Sequence, residues 1–372
     1  MMIYLDNAAT GGRKPDTVLA ATTAAFKVCA NPGRSGHKRS LACAAIVQDC
    51  RNTLDVFFDG YGFDRVIFTK NCTEALNIAL LGVLRRGDHV VTTYMEHNSI
   101  LRPLHFLKNT IGIAYDVCEL QDGNISAENI RKLIRPNTRL VTVTLASNVT
   151  GATPDITAIR KAIPTHVLLL CDGAQGAGHF PISMKKMGVD MLALAGHKGL
   201  LGIQGSGALL FSERVDPHPI LFGGTGSMSP FLDMPDFYPD GLEAGTLSYP
   251  AVVSMLEGVR YLTIHGQEMA QKIFSLTEYL VRELRKLDNF VLFSKPNACG
   301  IVSFLHKRLQ SEFLADVLSS KYDIAVRGGL HCAPLMHEAL STLNGGLVRV
   351  SFAHDNTINE VEILLDALRK ID

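Results

Sequence analysis

The chain has 372 residues, 47% of them hydrophobic and 19% charged, with 36 Lys plus Arg against 36 Asp plus Glu. That size and apolar content predict a large domain and a smaller one, each with its own core, and exclude disorder. The even balance of charge gives no electrostatic basis for binding nucleic acid or a membrane surface.

No run is long and apolar enough for a transmembrane helix. The opening Met1-Met2-Ile3-Tyr4-Leu5-Asp6 does not read as a secretory signal. Eight cysteines form no Cys-x-x-Cys pair. These features predict a cytoplasmic protein with free thiols, one available as a nucleophile and seven acting as small core residues.

Along the chain, short apolar runs alternate with helical patterns. A strand is predicted at 65–69, a helix at 73–84 ending near Gly87, a strand at 89–93 and a helix at 99–108. Strand 140–145 comes next, then a helix at 155–163 with Pro154 at its start and Pro164 just past its end. Further strands fall at 167–171, 191–195 and 208–211. The alternation predicts an α/β fold, a mostly parallel sheet with helices on both faces.

A Gly/Pro-rich stretch at 222–250 breaks the pattern. A long helix at about 250–287 comes after it, with Val252, Leu256, Val259 and Leu262 at helical spacing. Then come a strand at 300–305, a helix at 311–320, strands at 323–327 and 347–352, and a last helix at 357–371. The organisation expected is a large domain over 15–250 and a smaller α/β domain built from 1–14 and 251–372.

Ligands in open parallel sheets bind outside the carboxyl ends of the strands. The segments just past the strand ends here are polar: Lys70-Asn71-Cys72-Thr73-Glu74, Glu96-His97-Asn98, Ser147-Asn148, Asp172-Gly173-Ala174-Gln175 and His197-Lys198. Each residue also has a plain structural reading. The start of the helix at Thr73 suits a phosphate, or Thr73 is an ordinary N-cap. Asp172 ends an apolar strand and needs a cationic partner such as a protonated pyridine nitrogen, or it only forms a turn before Gly173. Lys198 ends another; desolvation lowers a lysine's pKa and suits it to imine formation, whereas a surface lysine has no such role. His97 has a flat ring for stacking and proton movement, or is a structural histidine. The Gly-rich runs at 202–207 and 223–226 lack nucleotide-loop spacing and are expected to be loops with positive φ.

With these residues in this order, the chain resembles the cysteine desulfurases, in the class V branch of the fold-type I pyridoxal-phosphate enzymes. The resemblance spans nearly the whole chain. It is carried by Tyr4 to Ala9, Thr73-Glu74-Ala75, Glu96-His97-Asn98, Ser147-Asn148-Val149, Asp172 to Gln175, Gly196-His197-Lys198, Glu243-Ala244-Gly245-Thr246 and Arg327 to Pro334. It implies a seven-stranded, mostly parallel sheet in the large domain and a homodimer with shared sites.

The resemblance also implies roles. Lys198 would carry pyridoxal 5'-phosphate as a Schiff base and move the Cα proton of the substrate. Asp172 would pair with the pyridine nitrogen, Gln175 would bond the phenolic oxygen and His97 would stack on the ring. The phosphate turn of Cys72 and Thr73, with His197, would hold the phosphate, and Thr246 would reach that of the neighbouring subunit. Asn148 and Arg349 would orient the substrate carboxylate, Arg349 through its two-pronged fork. His37 would line the entrance, or is a surface histidine.

Cys332 decides the reaction. In the desulfurases a loop cysteine here attacks the sulfur of bound L-cysteine, leaving alanine and a persulfide for an acceptor protein or thiol. A thiolate is needed, and His331 and Arg327 are expected to lower its pKa; a buried loop cysteine is the plain alternative. The short 327–332 loop resembles the SUF-type group.

There are departures. Ala195 stands where the family has a serine on the phosphate, and Cys72 where it has a threonine. The 226–243 loop is shorter, and Gly328-Gly329-Leu330-His331 replaces Thr-Gly-His-His. They leave open selenocysteine lyase, cysteine sulfinate desulfinase, another class V lyase or aminotransferase, and a non-catalytic sulfur-transfer scaffold. No metal is expected; His331, Cys332 and His337 lack the spacing of a structural zinc site.

Overall fold

The apolar runs build the centre of the molecule, seen in a computed structural model that describes residues 2–371. Seven strands form one sheet in the order Val66–Thr69, Gly207–Phe211, Met191–Ala195, Leu168–Asp172, Thr138–Thr144, His89–Thr93, Ala114–Cys118. Gly207–Phe211 runs antiparallel to both neighbours, and the other six strands point the same way.

Side chains alternate between two buried faces, as the strand period requires. Phe68, Val91, Leu169, Cys171 and Leu192 pack with Cys50 and Leu54 of helix Lys38–Phe57 and with Val252 and Leu256 of helix Tyr249–Leu284. Ile67, Val90, Leu168, Leu170 and Met191 pack on the other face, with Leu76 of helix Cys72–Leu81 and Leu104 of helix Asn98–Thr110.

A second, antiparallel sheet joins Phe290–Leu292, Ile301–His306 and Val348–Ser351. Its core includes Leu280, Phe304, Leu314, Val350 and Leu364, and also Leu5. The start of the chain reaches it because Ile3–Tyr4 pairs in parallel with Ile324–Ala325. This pairing delivers Asp6, Asn7 and Ala8 beside Ser351: the Ala8 N–H donates to its Oγ at 2.8 Å.

The structure differs from the expected elements in places with physical causes. The first α/β helix stops at Leu81, and the carbonyl of Gly82 after it accepts the His218 N–H at 3.0 Å, an approach that leaves no room for a Cβ at Gly82. The strand expected at 323–327 is only Ile324–Ala325. Helices Asp16–Lys27 and Lys38–Phe57 and the edge strand Ala114–Cys118 carry no strong apolar pattern and are additions. Of the two Gly-rich runs, only Gly205 and Gly226 take positive φ. All eight cysteines are free, and Cys29 is exposed rather than a core residue. No described helix is long and apolar enough to cross a membrane.

Candidate active site

The six co-directed strands put their carboxyl ends on one rim. Asp172 is the last residue of its strand, in register with Thr144 on one side and Ala193 on the other. It is 3% exposed, and its Oδ1 accepts the Ala174 N–H at 2.9 Å. The Cys72 thiol donates to the same oxygen at 3.4 Å. Burial, then the Asp172 charge, push the Cys72 pKa well up, so it stays a neutral donor. The Cys72 side chain is therefore engaged with Asp172 rather than turned to a phosphate.

Lys198 follows strand Met191–Ala195 on a turn that admits no side chain at Gly199, where a Cβ would lie 2.2 Å from the Ala177 oxygen. That contact packs the lysine turn against the turn leading out of Asp172. Burial lowers the Lys198 pKa; Asp172 opposes the shift and Arg349 adds to it. His197 is gripped by the start of the chain. Its carbonyl accepts from Gly11 N–H at 3.0 Å and Lys14 Nζ at 2.9 Å, and its Nδ1 lies 2.9 Å from Thr10 Oγ1. Burial, then the lysine charges, bring the His197 pKa down to about 4, so the ring is neutral.

His97 caps helix Asn98–Thr110, its Nδ1 accepting the Ser99 N–H at 3.1 Å. That bond leaves the ring proton on Nε2. Burial lowers the His97 pKa, against the pull of Asp172. Thr73 is the second residue of helix Cys72–Leu81, not its cap: Asn71 caps it, accepting the Glu74 N–H at 2.9 Å. Gln175 donates through Nε2 to the Ala8 oxygen at 3.0 Å.

A cleft is lined by Cys72, Thr73, His97, Ser99, Asn148, Asp172, Gln175, Ala195, His197 and Lys198 among others. Two residues tie the cysteine loop to its edge. Asn148 Nδ2 donates to the His331 oxygen at 2.6 Å, and the Asn98 N–H donates to the Cys332 oxygen at 2.8 Å. Cys332 itself is exposed. His331 and Cys332 both take positive φ, at 49° and 58°, a conformation that costs side-chain-bearing residues about 1–2 kcal/mol each. Gly329 before them, at φ 105°, makes the tight entry.

Two expectations about this region change. His331 is 3% exposed and donates through Nε2 to the Leu347 oxygen at 3.1 Å. Burial, then the Arg349 charge, take its pKa down to about 2, so it brings no positive charge to Cys332. The Arg349 fork is already in use: Nη2 pairs with Asp6 Oδ1 at 2.8 Å and Nη1 donates to the Asn148 oxygen at 3.1 Å. Its Nε is buried without a partner.

His37 and Thr246 lie outside the cleft. His37 is exposed and caps helix Lys38–Phe57 by accepting the Ser40 N–H. Thr246 is exposed on a segment anchored by Glu243, which binds Arg51 at 2.8 and 2.6 Å and accepts the Phe68 N–H at 2.6 Å. Lys14, Ser99 and Asp6 gain roles that no local pattern marks. Lys14 is 7% exposed, and burial lowers its pKa to about 8. Glu96 gains one too: it is fully buried, its Oε1 bonded to Thr93 Oγ1 at 2.7 Å and the Thr144 N–H at 2.9 Å.

The chain is similar to known proteins along its length. The family model of class-V aminotransferases matches residues 3–364. A probable cysteine desulfurase of Methanothermobacter thermautotrophicus is 33% identical, over 99% of this chain and 94% of its own length. One of Pyrococcus abyssi is 30% identical, over 100% and 94%. A solved apo structure of the cysteine desulfurase of Thermococcus onnurineus superimposes with a TM-score of 0.90 at 30% identity, covering 100% of this chain and 94% of that one. The chain belongs to the class-V aminotransferase family, among its cysteine desulfurases.

Proposed function

We propose that the protein is a pyridoxal-phosphate-dependent cysteine desulfurase that turns L-cysteine into L-alanine and leaves the sulfur as a persulfide on Cys332. One observation carries the reading. Asp172, buried without an ion pair among the described residues, shares a cleft with Lys198, and the loop bearing Cys332 is bonded to that cleft's edge. Asn148, which lines the cleft, and Arg349, which donates to the Asn148 oxygen, keep a buried Oδ1 and a buried Nε without partners, an acceptor and a donor available to a ligand.

Pyridoxal phosphate, when bound, supplies an electron sink that makes the Cα proton of an amino acid acidic and lets its Cβ–S bond break. Lys198 would hold the cofactor, and its amine would move the proton at Cα. Asp172 would keep the ring nitrogen protonated through its negative charge. His97, with its proton on Nε2, would stack on the ring. Gln175 would donate the second N–H of its Nε2 to the phenolic oxygen, and Thr73 and His197 would hold the phosphate. Asn148, through the second N–H of its Nδ2, and Arg349 would orient the substrate carboxylate, with Asp6 fixing the plane of the guanidinium. The Cys332 thiolate takes the substrate sulfur, forming an S–S bond as the Cβ–S bond breaks, and Cβ is protonated to give alanine.

The active form is a homodimer in which Thr246 serves the neighbouring subunit's phosphate; its exposure away from its own cleft supports this. The large domain spans 15–250, with 1–14 and 251–372 forming the smaller one. Eight free thiols support work in a reducing compartment such as the cytoplasm.

The test is Cys332→Ala, assayed for sulfide from L-cysteine and selenide from selenocysteine. Loss of the first activity alone is expected. Retention of both would remove the persulfide step and favour a lyase acting without the cysteine.

A further inference from the structure

Ser99 is the second residue of helix Asn98–Thr110, as Thr73 is of helix Cys72–Leu81, and both side chains line the cleft. The two helices start at the same rim, which brings Thr73 Oγ1 and Ser99 Oγ to 2.8 Å. Ser99 also lies against His97, with its Oγ 2.9 Å from Nδ1. Its backbone N–H already satisfies that nitrogen at 3.1 Å, so the hydroxyl proton is available elsewhere. Three neighbouring side-chain groups bring no free donor. Ala195 brings only a methyl group, Cys72 is committed to Asp172, and His197 Nδ1 is taken up by Thr10. A phosphate has acceptor oxygens only and must be met by donors.

We propose that Ser99 is a second hydroxyl ligand of the cofactor phosphate, acting beside Thr73. The inference rests on the placement of that phosphate at Thr73. The change is an exchange of hydrogen bonds. Ser99 O–H turns to one phosphate oxygen and Thr73 O–H to another, while His97 Nδ1 keeps the Ser99 N–H and its proton stays on Nε2. One residue thereby holds the phosphate and sets the tautomer of the histidine.

The experiment uses the full-length protein freed of cofactor. It is titrated with pyridoxal phosphate and with pyridoxal, which lacks the phosphate, and bound cofactor is followed by absorbance. Ser99→Ala is expected to weaken pyridoxal phosphate about tenfold or more, the size of one hydrogen bond to an ion. Pyridoxal binding is expected to stay unchanged. Ser99→Thr, which keeps the hydroxyl, retains the affinity, and Ala195→Ser added to Ser99→Ala recovers part of it. Equal losses for both ligands make Ser99 a prop for His97 alone and overturn the proposal. If Ser99→Ala binds as the parent does while Thr73→Val is weakened, the proposal falls and the phosphate site stands. If Thr73→Val also binds as the parent does, the phosphate site falls with it.

Discussion

Replacing Glu96 by Gln tests the electrostatics under the cleft. Glu96 is fully buried, and its Oε2 has no partner. Burial carries its pKa from 4.5 up to about 8; the nearby Asp172 charge adds to this, and the bonds from Thr93 and Thr144 oppose it. The folded state therefore keeps a proton that the unfolded chain gives up above about pH 4.5. This contribution to stability is complete below that pH and is lost as the pH rises through about 8. At about 1.4 kcal/mol per pH unit, the loss is on the order of 4–5 kcal/mol. Gln keeps an acceptor for Thr93 and Thr144 and puts an NH2 where the protonated oxygen lies, but it does not titrate. Urea unfolding of both proteins from about pH 5 to about pH 8 is the assay. Nearly equal stabilities at the acid end are expected, with Glu96→Gln gaining on the parent as the pH rises. Parallel curves would refute the reasoning.

Lys198→Ala is expected to abolish the absorption of the lysine-bound cofactor near the violet edge of the visible range; an unchanged spectrum would assign the attachment elsewhere. Asp6→Ala removes the ion that fixes Arg349 and is expected to raise KM for L-cysteine about tenfold, by the weight of one charge-assisted hydrogen bond. kcat should change less, and an unaltered KM would show that Asp6 does not orient the arginine.

Much of the sheet is legible in the sequence because several of its strands are apolar along most of their length, as burial on both faces favours. Met191–Ala195 is an example, with every residue buried. The helices that escape notice bury small or mixed side chains: Val18, Thr22 and Ala25 in one, and Cys43, Val47, Cys50 and Arg51 in the other. The edge strand Ala114–Cys118 is hidden by Asp116, which pairs with Arg135 at 2.5 Å and His89 at 3.2 Å. Strand ends name most of the side chains lining the cleft, since a parallel sheet brings all its carboxyl ends to one rim. They cannot name Asp6, which meets Arg349 across 343 residues, or Lys14, which meets His197 across 183. Nor does the order of residues reveal that His331 turns inward to Leu347 while its neighbour Cys332 stays exposed.

The central claim is that sulfur passes through Cys332. Mass spectrometry of the protein after brief exposure to L-cysteine, followed by protease digestion without reductant, measures it directly. The expected result is one added sulfur atom on the peptide holding Cys332 and on no other cysteine peptide. Alanine formed in step with sulfide, with the Cys332 peptide unmodified, would contradict the account.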